Sequence, residues 1–295
     1  MTRREFLKAA FGTLLFYATR HLAVGKSSQN YEVGIAVNKN YEKAVETAIN
    51  LIGGIRKYVK PGDIVVVKPN IGWNSLPEYK ADTDPVIVRT VVHLCYMALA
   101  SKVYVFDRTC NNPKLAYHNS GIAEAAKEAG ARVLYVNRVT DKLYKQIDIK
   151  NGTFLKKTLI NKYVLKADVF INLPVAKSHS AAGLTIGMKN LMGITGDNRS
   201  KWHWDLHNAI SDVNIAVKTN LLVVDATNIM FKNGPTGGSL NYLKKLDTVI
   251  ASNNVLCGDA EAAKLFGINP ADIGYMTLGQ KKGVGILNGY AVKRA

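Results

Sequence analysis

The segment from residue 173 to residue 193 holds the densest set of side chains that could do chemistry. Its polar members include Lys177, Ser178, His179, Lys189 and Asn190. A histidine can bind a metal ion or transfer a proton near neutral pH, and lysines beside the free amides of a helix start bind anions. We therefore expect His179 and Lys189 to be catalytic, and Lys189 with the other three residues to hold a cofactor. The plainer alternative is a surface lysine and a loop histidine that bonds to backbone.

The same segment predicts a local backbone path. A buried strand gives way to a loop of small residues with Gly183, and a short helix-like segment follows from Gly187. Small residues let a ligand approach the backbone closely. We therefore expect the site to lie where this loop meets the helix.

Two further histidines, His203 and His207, are four residues apart in a segment that also contains Trp202 and Trp204. If this segment is helical, both imidazoles lie on one face, at a spacing that can hold a divalent metal ion. The tryptophans would then form a flat wall for a ring-bearing ligand. We predict His203 and His207 as metal ligands, with ordinary residues at a helix start as the alternative.

Polar residues also follow several apolar runs that are typical of strands. In open parallel sheets, ligands bind beyond the carboxyl ends of the strands, where such groups converge. We expect Lys68, Asn70, Asp107 and Asp225, which lie at these ends, to bind the cofactor. Any one of them alone is better explained as a helix cap or a turn residue, whereas four polar strand ends in one chain favour a ligand-binding cleft.

The apolar runs are continuous rather than alternating, as in strands that are buried on both faces. They are Val33–Val37, Ile64–Val67, Val103–Phe106, Val133–Val136, Val169–Ile171 and Leu221–Val224. Helical patterns separate them, at about Tyr41–Tyr58, Pro85–Leu99, Ile122–Ala129 and Asp205–Val217. This alternation predicts an α/β fold with a mostly parallel sheet and helices on both faces. Residues Tyr144–Ile160 instead predict a small β insertion, with Asn151-Gly152 at its turn.

The composition is that of a globular protein with a strong basic bias. Of the 295 residues, 47% are hydrophobic and 21% are charged, so the chain can bury one sizeable core. The net charge of +17 would attract nucleic acid, phosphorylated ligands or acidic membranes. Because the basic residues are spread along the chain without a recognition-helix or base-stacking motif, no nucleic-acid partner is expected. The three scattered cysteines argue against a self-contained iron–sulfur cluster and leave one disulfide open.

Residues 1–25 are typical of a twin-arginine signal peptide. Arg3 and Arg4 precede an apolar stretch, Ala9–Ala18, and the small residues around Val24 suit a signal peptidase. We expect the twin-arginine export machinery as a partner, with transient membrane association through the signal. The expected location is the periplasm or the outer face of the cytoplasmic membrane. Residues 26–295 would form a single α/β domain; the alternative for residues 1–25 is an N-terminal helix of that domain.

Several motifs in combination resemble the family catalogued as domain of unknown function 362. They are Lys68-Pro69-Asn70, Asp84-Pro85, Asp107, Leu173-Pro174, Lys177-Ser178-His179, Lys189-Asn190-Leu191-Met192-Gly193, Asp225, Gly234-Pro235-Thr236-Gly237-Gly238 and Gly258-Asp259-Ala260. The resemblance spans roughly residues 31–285, and the family has no established common activity. Some members carry ferredoxin-like cysteine motifs. This sequence has none, so no electron-transfer role is implied.

The stretch from His179 to Lys189 is also similar to a segment of nickel-pincer-nucleotide lactate racemase. The similarity implies that His179 transfers a proton and that Lys189 anchors the nucleotide-derived nickel cofactor. The match is short and imperfect, because Met188 stands where that enzyme has arginine. It is an analogy and does not establish nickel.

Two functions therefore stay open. The first is an exported enzyme that catalyses proton transfer or isomerisation beside a carbonyl of a small anionic substrate, with a metal ion or phosphate-bearing cofactor near His179 and Lys189. Lys68, Arg108 or Arg199 would orient the substrate's carboxylate or phosphate. The second is an exported protein that binds a metal ion, a nucleotide or a small anion without chemistry.

Overall fold

A ten-stranded mixed sheet forms the centre of the computed structural model, which describes residues 30–136, 139–140 and 142–295. The strands in these ranges are β1 (Glu32–Val37), β2 (Ile64–Pro69), β3 (Lys102–Val105), β4 (Arg132–Val133), β5 (Tyr144–Asp148), β6 (Lys157–Asn161), β7 (Val169–Leu173), β8 (Val175–His179), β9 (Gly183–Thr185), β10 (Leu221–Met230), β11 (Leu243–Ser252) and β12 (Ala291–Arg294). The main path of the sheet runs β12-β1-β11-β10-β7-β2-β3-β4. β8 joins it beside β10 and carries β9, whereas β5 and β6 form a separate hairpin. The predicted signal peptide, residues 1–25, lies outside the described residues.

One half of the sheet is parallel. Strands β10, β7, β2, β3 and β4 pair parallel in that order. Val65, Val66 and Val67 in β2 are fully buried, as expected where both faces of a strand are covered. At the other edge β11 pairs antiparallel with both β10 and β1. The mostly parallel α/β sheet is confirmed, and the antiparallel edge is a feature that the apolar runs did not predict.

Helices cover both faces of this sheet, which confirms the predicted layering. The described α-helices are α1 (Tyr41–Leu51), α2 (Pro85–Met97), α3 (Pro113–Asn119), α4 (Ile122–Glu128), α5 (Lys162–Lys166), α6 (Gly187–Asn190), α7 (Leu206–Ala216), α8 (Val255–Lys264) and α9 (Gly274–Lys281). Helices α1, α2 and α4 bury residues such as Val45 and Val88 in one hydrophobic core. Helices α7, α8 and α9 bury residues such as Leu256 and Met276 in the other. Tyr31–Ala295 form one compact unit.

The segment after β7 differs from the predicted loop. β8 and β9 form an antiparallel hairpin, in which Lys177 pairs with Thr185 and His179 with Gly183. Gly183 has φ of +77°, a left-handed conformation that glycine adopts without strain. The hairpin leads directly into α6. The short helix therefore lies where it was predicted, but a β-hairpin takes the place of the predicted loop.

The predicted β insertion is confirmed. β5 and β6 pair antiparallel, and Asn151 in the connection has φ of +66°. The buried carboxylate of Asp212 in α7 accepts backbone N–H groups from Thr153, Phe154 and Leu155 at 2.8–2.9 Å. This carboxylate therefore fastens the insertion to the main domain.

Cys95 and Cys257 are buried, Cys110 is exposed, and all three are free thiols. Among the residues that the structure describes, no helix is both long and apolar enough to cross a membrane.

Candidate functional site

A cleft of about 660 Å³ lies beyond the carboxyl ends of β2 and β3, beside the β8–β9 hairpin and α6. The predicted site residues that line it are Lys68, Asn70, Asp107, Lys177, His179, Lys189, Asn190 and His203. Its position agrees with the rule that ligands bind at the carboxyl ends of parallel strands. Strand ends and the central motif therefore meet in one place.

The floor of the cleft contains a buried ion pair. The Lys68 ammonium lies 2.9 Å from Asp107 Oδ1 and also donates to the Asn190 side-chain oxygen. Asp107 Oδ2 accepts the backbone N–H of Ile71 at 2.8 Å. Burial lowers the pKa of Lys68, and the Asp107 carboxylate partly offsets that effect. A Cβ on Gly193 would lie 1.7 Å from Asp107 Oδ1, so only glycine lets the backbone approach the pair.

A second buried lysine lies beside this pair. Lys177 Nζ donates to Asn70 Oδ1 at 2.8 Å and to the carbonyl of Ala81. Burial lowers the pKa of Lys177, while the nearby Asp82 carboxylate opposes this. Burial raises the pKa of Asp82 in turn. The side-chain amides of the two predicted asparagines thus position lysines: Asn70 accepts from Lys177, and Asn190 accepts from Lys68.

Lys189 differs from the other two lysines. It lines the cleft, and within the described part of the chain its ammonium has no hydrogen bond or ion pair. Burial lowers its pKa to about 7, and the neighbouring charges of Lys177, Arg199 and Lys68 act in the same direction. An amine with this pKa is uncharged in about half of the molecules at pH 7.

The short helix that carries Lys189 is held by a buried carboxylate. Asp259 in α8 accepts the backbone N–H groups of Gly187 and Met188, both at 2.8 Å. A Cβ on Gly187 would lie 2.7 Å from Asp259 Oδ1 and 2.6 Å from Leu222 Cδ1. Asp259 therefore sets where α6 begins and, through it, where Lys189 lies.

His179 has a defined hydrogen-bonding state. Its Nδ1 accepts the backbone N–H groups of Ala181 and Ala182 at 3.2 Å, so the neutral ring carries its proton on Nε2. Burial lowers the pKa of His179 to about 3, with contributions from Lys189 and His203. The ring is therefore neutral at pH 7. It can donate through Nε2–H, whereas accepting a proton would require breaking the bonds at Nδ1.

Two arginines hold the outer wall of the cleft together. Arg108 donates to the carbonyls of Thr195 at 3.0 Å and Asp197 at 2.7 Å. Arg199 donates to the carbonyls of Arg108 at 2.7 Å and Thr109 at 3.0 Å. The segment that carries Arg108 and the segment that carries Arg199 are thus joined by hydrogen bonds to neutral carbonyl groups. The two guanidinium charges therefore add to the positive potential of the cleft.

Two predicted cofactor residues lie outside the residues that line the cleft. Ser178 Oγ accepts the backbone N–H of Gly234 at 3.1 Å, so it positions the loop that carries Pro235. Asp225 is fully buried and accepts the backbone N–H of Asp84 and the hydroxyl of Thr227. The expectation for Asp225 assumed that its strand ends at Val224. β10 instead continues to Met230, so Asp225 lies within the strand and not at its end.

The structure also removes the geometric basis for the predicted metal pair. His203 lies in a 3₁₀ turn, Arg199–Trp204, and His207 lies in α7, with Asp205 at φ −151° between them. The two imidazoles therefore do not sit one turn apart on a single helix. His203 lines the cleft, while the ring of His207 packs against Tyr275.

Thr185 is a cleft residue that the sequence did not indicate. It lines the cleft, and its buried hydroxyl has no hydrogen-bond partner within the described ranges. Its cross-strand neighbour in the β8–β9 hairpin is Lys177. Only recognition of the hairpin could have placed this hydroxyl beside the lysine, because paired residues share one face.

The donors in the cleft fit one of the two predicted cofactor classes. Within the described residues, no group of three or more His, Cys, Asp or Glu side chains forms a metal site. The cleft instead presents Lys177, Arg108 and Arg199, whose charges repel a bare cation and attract phosphate. The residues therefore fit a phosphate-bearing group and do not fit a metal ion held by side chains alone.

The chain is similar to a catalogued protein family and to several known proteins. The model of a family described as domain of unknown function (DUF362) matches residues 65–264. A thylakoid-associated protein of Synechocystis sp. is 25% identical over an alignment of 271 positions that covers 87% of this chain and 78% of that protein. The lactate racemase apoprotein of Thermoanaerobacterium thermosaccharolyticum has a TM-score of 0.44 at 13% identity, covering 66% of this chain and 50% of that one. A Thermotoga maritima protein has a TM-score of 0.40 at 9% identity, covering 81% of this chain and 59% of its own.

Proposed function

This chain belongs to the DUF362 family, and we propose that it is an enzyme that transfers a proton beside a carbonyl group of a small anionic substrate. The observation that carries the proposal is the state of Lys189. Its amine lines a cationic cleft, has no partner in the described part of the chain and has a pKa of about 7. Perturbed amines of this kind concentrate at catalytic sites.

The charge of the cleft supports an anionic substrate. Lys177, Arg108 and Arg199 line it, and the two guanidinium groups donate to neutral backbone carbonyls. The Asp107 carboxylate in the cleft is already paired with Lys68. A carboxylate or phosphate on the substrate would therefore supply the missing negative charge through charge-assisted hydrogen bonds.

The neutral groups support the reaction class. An uncharged amine can act as a base or as a nucleophile. The Nε2–H of His179 can donate to a carbonyl oxygen, as a neutral imidazole does in enzymes that polarise a carbonyl group. Lys189 and His179 together provide an uncharged amine and an uncharged donor beside an anion-binding surface.

A phosphate-bearing cofactor and export are parts of the same proposal. The cationic side chains would hold the cofactor's phosphate, and about 660 Å³ lies within the range of ligand pockets. The twin arginines, Arg3 and Arg4, support export through the twin-arginine machinery to the periplasm or the outer face of the membrane. Replacing both by lysine would leave the full-length protein in the cytoplasmic fraction. Unchanged fractionation would refute export through the twin-arginine machinery.

The proposed reaction is tested by hydrogen exchange in D₂O. The full chain is incubated with pyruvate and other short 2-oxo acids, and loss of the C–H signal beside the carbonyl is followed by NMR. We expect exchange faster than the protein-free rate, lost in Lys189→Met and kept in Lys218→Met, a matched change at an exposed lysine. A rise in melting temperature with pyruvate but no exchange would instead indicate a binding protein without catalysis.

A further inference from the structure

We propose that Lys189 reacts covalently, forming an imine with the carbonyl carbon of a short 2-oxo acid or another small aldehyde or ketone that carries an anionic group. This inference rests on the proposed function, because it requires the anion-binding cleft. It goes further by naming the class of substrate and by making Lys189 a nucleophile.

The surroundings of Lys189 favour a nucleophile. A lysine amine attacks carbonyl groups when it is desolvated or lies beside other cations, because both conditions keep it uncharged. Burial and the charges of Lys177, Arg199 and Lys68 supply both conditions. No hydrogen bond within the described residues occupies its nitrogen lone pair or holds it away from a ligand.

Thr185 provides an independent indication that a polar ligand group belongs here. Its hydroxyl is buried at the cleft wall and lacks a partner in the part of the chain that the structure describes. A buried hydroxyl without a partner destabilises the folded protein, so a ligand oxygen that bonds to it removes that cost. The Nε2–H of His179 offers a second donor in the same cleft. Together they can hold the oxygen of a carbonyl that is being attacked.

The step balances without any further reagent. The Lys189 nitrogen forms a bond to the carbonyl carbon, and a proton moves to the carbonyl oxygen, which gives a carbinolamine. The carbon–oxygen bond then breaks, and the oxygen leaves as water with the two hydrogens that the amine has lost. The resulting imine, once protonated, withdraws electrons from the adjacent C–H bond, which is the activation that proton transfer beside a carbonyl requires.

The experiment is reductive trapping on the full chain. The protein is incubated at pH 7 with pyruvate and sodium cyanoborohydride, and modified lysines are located by peptide mass spectrometry. A lysine with a pKa near 7 has about a thousandfold more neutral amine at pH 7 than an ordinary one. Allowing for its lower intrinsic reactivity, we expect labelling of Lys189 at least about tenfold faster than of the exposed Lys218.

Three variants and one pH series complete the test. Lys189→Arg should abolish the fast label, Lys218→Arg should not change it, and Thr185→Val should slow it about tenfold, the effect of one hydrogen bond. In the unsubstituted protein, labelling of Lys189 should reach half its maximum near pH 7, a readout that does not depend on how a variant folds.

Equal labelling of Lys189 and Lys218 would overturn the imine. If pyruvate leaves Lys189 unlabelled while inorganic phosphate still raises the melting temperature, the imine is wrong and the anion-binding cleft stands. If neither anion stabilises the protein and no label forms, the proposed function fails together with the inference.

Discussion

Replacing Asp107 by asparagine would leave the Lys68 ammonium buried without its counterion. Both side chains are almost fully inaccessible, with 1% and 2% of their surfaces exposed, and they lie 2.9 Å apart. Asparagine keeps an oxygen for the N–H of Ile71, so the loss is concentrated in the ion pair. Removing one partner of a buried pair costs about 3–5 kcal/mol. We expect a loss of that size in the free energy of unfolding, or on the order of 10 °C in melting temperature.

Urea unfolding at pH 7 of five proteins, which include the single variants Asp107→Asn and Lys68→Met, measures this effect. Lys68→Met combined with Asp107→Asn removes the uncompensated charge and should recover more than half of the loss, because a buried pair is often replaceable by neutral groups. Glu42→Gln breaks the exposed pair with Arg89, whose side chains are 47% and 43% exposed, and should cost less than about 1 kcal/mol. The unsubstituted chain is the reference.

The reasoning would be refuted by a loss below about 1 kcal/mol for Asp107→Asn. It would be refuted equally by a double variant whose loss equals the sum of the two single losses, because independent groups add and a shared ion pair does not. Either result would mean that Lys68 and Asp107 do not depend on each other for their stability in the folded protein.

Three further predictions concern the scaffold of the cleft. Burial raises the pKa of Asp259 to about 7 in the folded protein, above the ordinary value of about 3.9. The folded state therefore binds this proton more tightly than the unfolded state does. As a result, the free energy of unfolding falls as pH rises from about 4 to 7. Asp259→Asn should remove that fall, as measured by urea unfolding at pH 5 and pH 8, and an unchanged difference between the two pH values would contradict it. Gly187→Ala places a methyl group 2.6 Å from Leu222 Cδ1 and should lower stability by about 1–3 kcal/mol in thermal unfolding, with no change counting against the packing argument. Lys282→Met removes the ammonium that lies 2.6 Å from the buried Asp212 carboxylate. It should accelerate hydrogen exchange of the backbone amides of the insertion that donate to this carboxylate. Unaltered exchange would show that these hydrogen bonds hold the insertion without the ammonium.

The prediction of the fold succeeded where the signal is local. Continuous apolar runs such as Val65–Val67 indicated buried strands, and the turn at Asn151-Gly152 indicated the β5–β6 insertion. The prediction of the fold was incomplete where the structure depends on which strands pair with each other. The antiparallel pairing of β11 with β1 joins residues more than 200 positions apart, and no local pattern specifies such a partner.

The structure brings the predicted residues at two strand ends into the cleft and leaves out a residue whose strand was taken to end too early, while their roles stay predictions. Lys68 and Asp107 reach the cleft because β2 and β3 end there. Asp225 does not line it, because β10 runs five residues beyond that position. His203 and His207 do not share one helix face, because a 3₁₀ turn ends at Trp204 and a separate helix begins at Leu206.

The sequence by itself determined the alternation of strands and helices, the family and the segment that carries His179 and Lys189, because these follow from residue types at short spacing. Only the tertiary structure decided the chemical state of those residues. The Lys68 ammonium meets the amide of Asn190 across 122 positions of the chain. The lowered pKa of Lys189 likewise arises from burial and from the charges of Lys177, Arg199 and Lys68, which distant parts of the chain bring together. A pKa depends on solvent exclusion and on distances between charges, and both exist only once the chain has folded.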